Sequence, residues 1–271
     1  MNTSKIRPVE ENDIPNLKHL QPEGWSDILF YFRFYVKEDF CCPVLLEHDG
    51  RIAGAANGLF IGKTGWLAHI IVAEEHYRKG FGRALTEYVM NILDDHGVKT
   101  QILIATELGA KLYPKLGFRQ IAAYNFYKSA QLEHMSEHES IRPLEKSDYP
   151  ALFELDREIS AEERKPVLEK FGLNGWGFFE KNTDILKGYY LPEIGEGTIL
   201  AADDESGLEL LKFKHIQKKC RTVLPKENAA GNSFLVNNGF EKYSECARMI
   251  LGDDHNWKPE NVFSRIGGFY G

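Results

Sequence analysis

The chain has 271 residues, 43% hydrophobic and 27% charged, a composition of ordinary soluble domains that argues against wholesale disorder. At about 150 residues per domain the length favours two modest domains over one large one. With 33 basic and 40 acidic residues the net charge is −7, and neither half is basic, which excludes a module that holds phosphate backbones by charge.

In chain order, Ile6 to Leu20 reads IRPVEENDIPNLKHL: a short strand, a turn, then a helix opened by Asp13 with proline in its first turn. WSDILFYFRFYVKEDF (25–40) is aromatic-rich and reads as an amphipathic helix. PVLLEHDGRIAGAANGLFI places Asp49-Gly50 between two apolar runs, a hairpin signal, and WLAHIIV (66–72) is a further strand. RALTEYVMNILDDHG puts Leu85, Val89, Ile92 and Leu93 on one helical face and stops at Gly97. TQILIAT, GAKLYPKLG and FRQIAAYNFYK then read as strand, short helix and strand. The order β-α-α-β-β-β-α-β-α-β predicts a mixed α/β sheet of α+β character.

The chain then repeats itself. Ile141 to Leu155 reads IRPLEKSDYPALFEL and matches Ile6 to Leu20 at eight of fifteen positions, at an offset of 135. Leu116-Gly117-Phe118 is echoed by Asn238-Gly239-Phe240 at an offset of 122, so the second copy is shorter in between. SAQLEHMSEHES (129–140) is the natural linker, giving expected domains of 1–132 and 140–271.

The motif with chemical content is HYRKGFGRAL (76–85), between a buried strand and an amphipathic helix. Gly80 and Gly82 permit close backbone approach, the open N–H groups of the next helix suit a pyrophosphate, and Arg78, Lys79 and Arg83 add cationic donors. A dinucleotide fingerprint fails, because Leu85 stands where its third glycine belongs. Gly62-Lys63-Thr64 fails as a P-loop, since its first glycine is one residue short and a strand follows.

Strand 66–72, this loop, its helix and AKLYPKLGF (110–118) together resemble the GNAT superfamily of N-acetyltransferases. The second half is similar to a degenerate copy, so the resemblance implies two tandem GNAT-like domains with the first catalytic. It implies that Arg78, Lys79, Gly80, Phe81, Gly82, Arg83 and Ala84 wrap the pyrophosphate of acetyl-CoA, and that the backbone of Ile70, Ile71 and Val72 pairs with the pantetheine arm. A splayed gap between strands 66–72 and 100–106 would admit that arm. The resemblance makes Tyr113 the acid that protonates the departing thiolate, chemistry within reach of a phenol of pKa near 10. An amide near Val72 would bear on the oxyanion.

The sequence also departs from the family. Tyr77 stands where glutamine or arginine is usual, and Glu107 where asparagine is frequent. The positions that supply a base in some members are Trp66 and Ala68, which take no proton. His69 is the nearest candidate, although strand alternation turns it away from Ala68 unless a bulge intervenes. In the second half acidic residues replace the glycine turn and Leu235 matches Tyr113, so that half reads as a non-catalytic partner.

The expected reaction is acetyl transfer from acetyl-CoA to a small-molecule primary amine by direct attack, with proton loss through water or an acidic residue elsewhere. The alternatives are a silent acyl-CoA-binding module and acetylation of a protein amine. The acidic surface favours a cationic acceptor. No secretory signal or long apolar run is present, and Cys41, Cys42, Cys220 and Cys246 form no CxxC pair, so the expectation is cytoplasmic, without membrane or nucleic-acid partner or metal. His134 and His138 lie in the polar linker and read as solvated. Monomer and homodimer stay open. The tail WKPENVFSRIGGFYG is expected to dock, with the acceptor cleft of the first domain as one place for it.

Overall fold

Both repeats open on the same ion pair. Arg7 grips Asp13 with hydrogen bonds of 2.7 and 2.9 Å, and Arg142 grips Asp148 at 2.8 and 3.1 Å. Each aspartate also accepts the backbone N–H of the glutamate three residues before it, at 2.8 Å. The shared letters of the two repeats are therefore shared bonds.

The structure, a computed structural model, describes residues 4–107, 109–133, 138–268 and 270. The first repeat runs β1 (Ser4–Pro8), a 3-10 helix (Glu11–Leu20), α1 (Ile28–Tyr35), β2 (Cys41–His48), β3 (Arg51–Ile61), β4 (Thr64–Val72), α2 (Phe81–Asp95), β5 (Thr100–Ala105), a 3-10 turn (Tyr113–Leu116) and β6 (Arg119–Ala130). The second runs β7 (Ile141–Pro143), α3 (Tyr149–Ser160), α4 (Lys165–Phe171), β8 (Trp176–Phe179), β9 (Leu186–Leu191), β10 (Thr198–Ala201), α5 (Asp204–Gln217), β11 (Cys220–Pro225), α6 (Ala229–Asn237), β12 (Lys242–Gly252) and β13 (Val262–Ser264). The expected α-helix after Asp13 is instead 3-10, because Pro15 lies inside it and removes a ladder donor. Pro150 sits in the first turn of α3, where its missing N–H has no partner to lose, and there the α-helix forms.

The strands form an eight-stranded sheet, β1-β2-β3-β4-β5-β12-β6-β11, and a five-stranded sheet, β13-β10-β9-β8-β7. Asp49 and Gly50 are both left-handed (φ 50° and 76°), as the two-residue β2–β3 hairpin needs. The large sheet crosses the repeat boundary: β12 lies between β5 and β6, antiparallel to both, and β6 pairs with β11. One buried core lies between the two sheets, joining Trp66, Ile102 and Ile250 to Tyr189, Leu191 and Leu200. On the other face of the large sheet Leu85, Val89 and Leu93 of α2 pack against Leu67, Leu103 and Tyr113, with Ile92 only half-buried.

The second repeat has no counterpart of the loop between β4 and α2. Residues 73–80 make that connection in the first repeat, whereas residues 202–203 alone join β10 to α5. The Asp203 carboxylate accepts from the Ser206 amide at 2.9 Å, so α5 fills its own N-terminus with an acidic cap. The cap of α2 is Gly80, which has no side chain to offer.

Candidate functional site

Strand β4 pairs with β5 in parallel only from Thr64–Trp66 to Thr100–Ile102. Beyond Trp66 the two diverge, while β5 continues to Ala105 with β12 on its far edge. The backbone of β4 from Leu67 onward thus has no ladder partner on this edge among the described residues, as the expected gap requires. On its other edge the register with β3 skips, from Ala68 opposite Asn57 to Ile71 opposite Ala55, leaving His69 and Ile70 across from Ala56. That is a β-bulge, and His69 takes its strained residue at φ 47°.

The bulge decides where His69 points. Trp66, Ala68 and Ile71 face the core between the sheets, while Leu67, Ile70 and Val72 face α2. His69 joins the first set. Its ring lies 4.8 Å from that of Tyr31 and 5.8 Å from that of Trp25, and its Nδ1 shares a 2.7 Å hydrogen bond with the Tyr35 hydroxyl. The aromatic helix α1 therefore both packs on the sheet and walls this side of the gap. Burial pushes the His69 imidazole down to about 4, so it is neutral near pH 7 and a weak base.

Two other buried histidines behave alike: desolvation, with Lys214 beside His215 and Arg248 beside His255, lowers both to about 3. Unfolding returns each ring to about 6.5, so below that pH the unfolded chain binds the extra protons and stability falls. At pH 5 each ring is expected to remove about 2 kcal/mol, before any carboxylate titrates. A melting series should show Tm at pH 5 lower than at pH 7.5 by about 10 °C or more. A flat Tm across that window would contradict the neutral burial.

The cofactor motif forms a concave turn. Arg78 and Gly80 are left-handed at φ 63° and 86°, on either side of Lys79, and α2 begins at Phe81. The amides of Phe81, Gly82 and Arg83 lie in its first turn, ahead of the intrahelical ladder, which starts where the Ala84 amide bonds Gly80 O. A Cβ on Gly80 would meet nothing, and one on Gly82 only Val72 Cγ2 at 3.8 Å, so space lies open above these donors. Arg78 and Lys79 are exposed, Lys79 Nζ approaches His76 Nδ1 at 3.1 Å, and Arg83 Nε donates to Glu87 at 2.8 Å. A cavity of about 900 Å³ beside the turn is lined by both signs of charge, Arg51 and Lys79 with Asp49 and Glu75, and by His48 and His76. The donor set of the turn fits an anionic pyrophosphate.

Tyr113 is buried in the cluster that holds Leu85 and Val89, so it shares a sheet face with the turn. Its ring packs on Phe118 and against Gly109, and burial pushes its hydroxyl up to about 12. Glu107 is exposed. Leu235, the counterpart of Tyr113 in the second repeat, is fully buried. His134 lies outside the described residues, His138 stacks near Phe178, and no metal-binding group occurs among the described residues.

The residues that sequence reasoning missed come from the second repeat. Glu162 is buried and accepts from Trp66 Nε1 at 2.8 Å. Arg248, on β12, donates Nη1 to the Tyr124 hydroxyl at 2.9 Å and pairs through Nη2 with Glu162 at 3.4 Å. The tail docks as expected: Ile266 and Tyr270 are buried, and the Tyr270 ring lies 6.1 Å from Trp66. A Cβ on Gly195 would overlap the Ile266 carbonyl, so only glycine lets the tail lie there.

The model of the acetyltransferase (GNAT) family matches residues 9–118. The [ribosomal protein bS18]-alanine N-acetyltransferase of Escherichia coli K12 is 27% identical over 134 residues, covering 44% of this chain and 82% of its own. A Pyrococcus horikoshii protein described as an acetyltransferase superposes with a TM-score of 0.85 at 19% identity, over 99% of this chain and 96% of its own. A tandem GNAT protein of the clavulanic acid pathway aligns at a TM-score of 0.62 and 15% identity, over 92% of this chain and 98% of its own. The fold is thus that of tandem GNAT proteins, and no helix among the described residues is long and apolar enough to cross a membrane.

Proposed function

We propose, from the match of residues 9–118 to the GNAT family of acetyltransferases, that the chain is an acyl-CoA-dependent N-acetyltransferase that acetylates a small primary amine using acetyl-CoA in the cytoplasm. Enclosure carries the choice of a small acceptor. The face of β4 around His69 is walled by Trp25 and Tyr31 on one side, with Glu162 and Tyr270 over neighbouring Trp66. Surroundings packed this closely suit a compact acceptor better than a polypeptide lying along a groove.

In this reading the amides of Phe81, Gly82 and Arg83 hold the pyrophosphate, aided by Arg78, Lys79 and the helix dipole. The edge of β4 at Ile70, Ile71 and Val72 pairs with the pantetheine arm inside the gap. A neutral amine attacks the thioester carbonyl, forming C–N as C–S breaks, and the Tyr113 hydroxyl hands its proton to the departing thiolate. Neutral His69, held by Tyr35, orients the acceptor wall, and the proton lost by the attacking amine passes through water to restore the Tyr113 hydroxyl. Residues 1–132 do the chemistry; residues 140–271 complete the cleft without catalysing.

A thiol-release assay over an amine panel tests the reaction. Gly80→Trp tests the cofactor site, since it strains a left-handed residue and fills the space above the amides. Losing one or two charge-assisted contacts at about 1.5–3 kcal/mol each should weaken CoA binding at least tenfold by calorimetry. Unchanged affinity would refute the assignment of residues 78–83.

A further inference from the structure

The face of the large sheet that carries His69 holds two buried arginines whose donors are not all used. Arg265, in the tail, donates Nε and Nη2 to the two oxygens of Glu196 at 3.3 and 3.2 Å, and Arg221 reaches the same carboxylate at 3.4 Å. Glu196 also acts on the charge of buried Lys214. Glu196 thus pairs directly with two arginines, of which Arg221 is 40% exposed to solvent and Arg265 is buried. Arg265 is 5% exposed, and no hydrogen-bond partner reaches its Nη1 among the described residues. Arg248 is 1% exposed, and its Nε is equally without a partner. Buried guanidinium N–H groups are costly to leave unpaired, and two in one neighbourhood suit an acceptor that arrives with a ligand.

Both arginines flank Tyr124. The Arg265 guanidinium lies 5.5 Å over the Tyr124 ring and 4.8 Å over that of Phe126, while Arg248 bonds the Tyr124 hydroxyl. Arg248 stands opposite Ile104, in the part of β5 that β4 has left, and its guanidinium lies 4.8 Å over Trp66, the last paired residue of β4. Arg265, Arg221 and Glu196 also act electrostatically on Tyr31, whose ring stacks beside His69. The cationic cluster and the bulged strand therefore lie close together, joined through Trp66 and Tyr31.

We propose that the acceptor amine carries a carboxylate, bound by Arg265 through its unpaired Nη1 with Arg248 and Tyr124 alongside, so that the substrate class is amino acids. This rests on the acetyl-transfer reading and reverses the preference for a cationic acceptor that surface charge suggested. Arginine matches a carboxylate through paired planar contacts that lysine does not reproduce.

The test uses the full chain and matched pairs, each amino acid against its own carboxamide. Initial rates of thiol release should favour the acids in kcat/KM by about 10- to 100-fold, mostly through KM, the range for one charge-assisted contact. In Arg265→Gln the acid-to-amide ratio should fall toward 1, again through KM. Amides used as well as acids by the wild-type protein would overturn the proposal, as would an Arg265→Gln protein of unchanged Tm that keeps the preference. If that variant does not fold, the wild-type comparison decides alone. Failure of the protein to bind acetyl-CoA in calorimetry would instead remove the acetyl-transfer reading. The acid preference is then read by thermal shift with the same pairs, where equal shifts for acid and amide would overturn it.

Discussion

Tyr113→Phe is expected to lower kcat by about 100-fold, the lower end of what a positioned general acid contributes, while leaving the affinity for CoA unchanged. The substitution removes one oxygen from a ring that packs between Phe118 and Gly109, so the fold should persist. Its chemistry would not. The tyrosine works in its protonated form, and burial raises its hydroxyl to about 12, so the acid stays loaded across the range in which enzymes are assayed. The sign follows: the wild-type rate should show no alkaline decline from this group below about pH 11, because deprotonation begins only as pH approaches its pKa. Rates measured from pH 6 to 10 on both proteins separate the possibilities. A Phe variant with wild-type kcat would mean that water protonates the thiolate, and an alkaline fall centred near pH 9 that persists in the variant would belong to another group.

What could be read from the sequence was local. The repeated letters marked a strand, a turn and a helix opened by Asp13 or Asp148, but not that Arg7 and Arg142, six residues earlier, would grip those aspartates. The glycine turn was legible because Gly80, the open amides and α2 are consecutive. His69 was only half legible. Alternation alone turned it away from Ala68, and the bulge that reverses this is a property of the β3–β4 register, which no residue type announces. The cationic cluster was invisible. Glu196 and Arg265 are 69 positions apart, and Glu162 lies 96 from Trp66, so their partnership exists only after the sheets assemble.

The same non-local pairing governs what happens when the chain is cut. Residues 1–132 contain the turn, Tyr113 and the gap, and from the family likeness alone they would be expected to stand as an enzyme. In the assembled sheet β5 and β6 are not hydrogen-bonded to each other; β12 separates them, pairing Ala247 with Ala105 on one side and with Ala123 on the other. A fragment ending at residue 132 would leave the inner edge of β5 and both edges of β6 bare, with unpaired backbone groups and the apolar face of Trp66 and Ile102 open to water. It would also strip Trp66 Nε1 of Glu162. The fragment is accordingly expected to express as aggregate or as an expanded, CoA-incompetent chain, and co-expression with residues 133–271 should recover soluble, CoA-binding protein. Glu162→Ala asks the question more gently within the intact chain. Removing one member of a buried ion pair costs about 3–5 kcal/mol, which should lower Tm by about 10 °C. A cooperatively folded, CoA-binding fragment of residues 1–132 would show that β5 and β6 can close on each other, and that β12 is an addition to the sheet instead of part of its foundation.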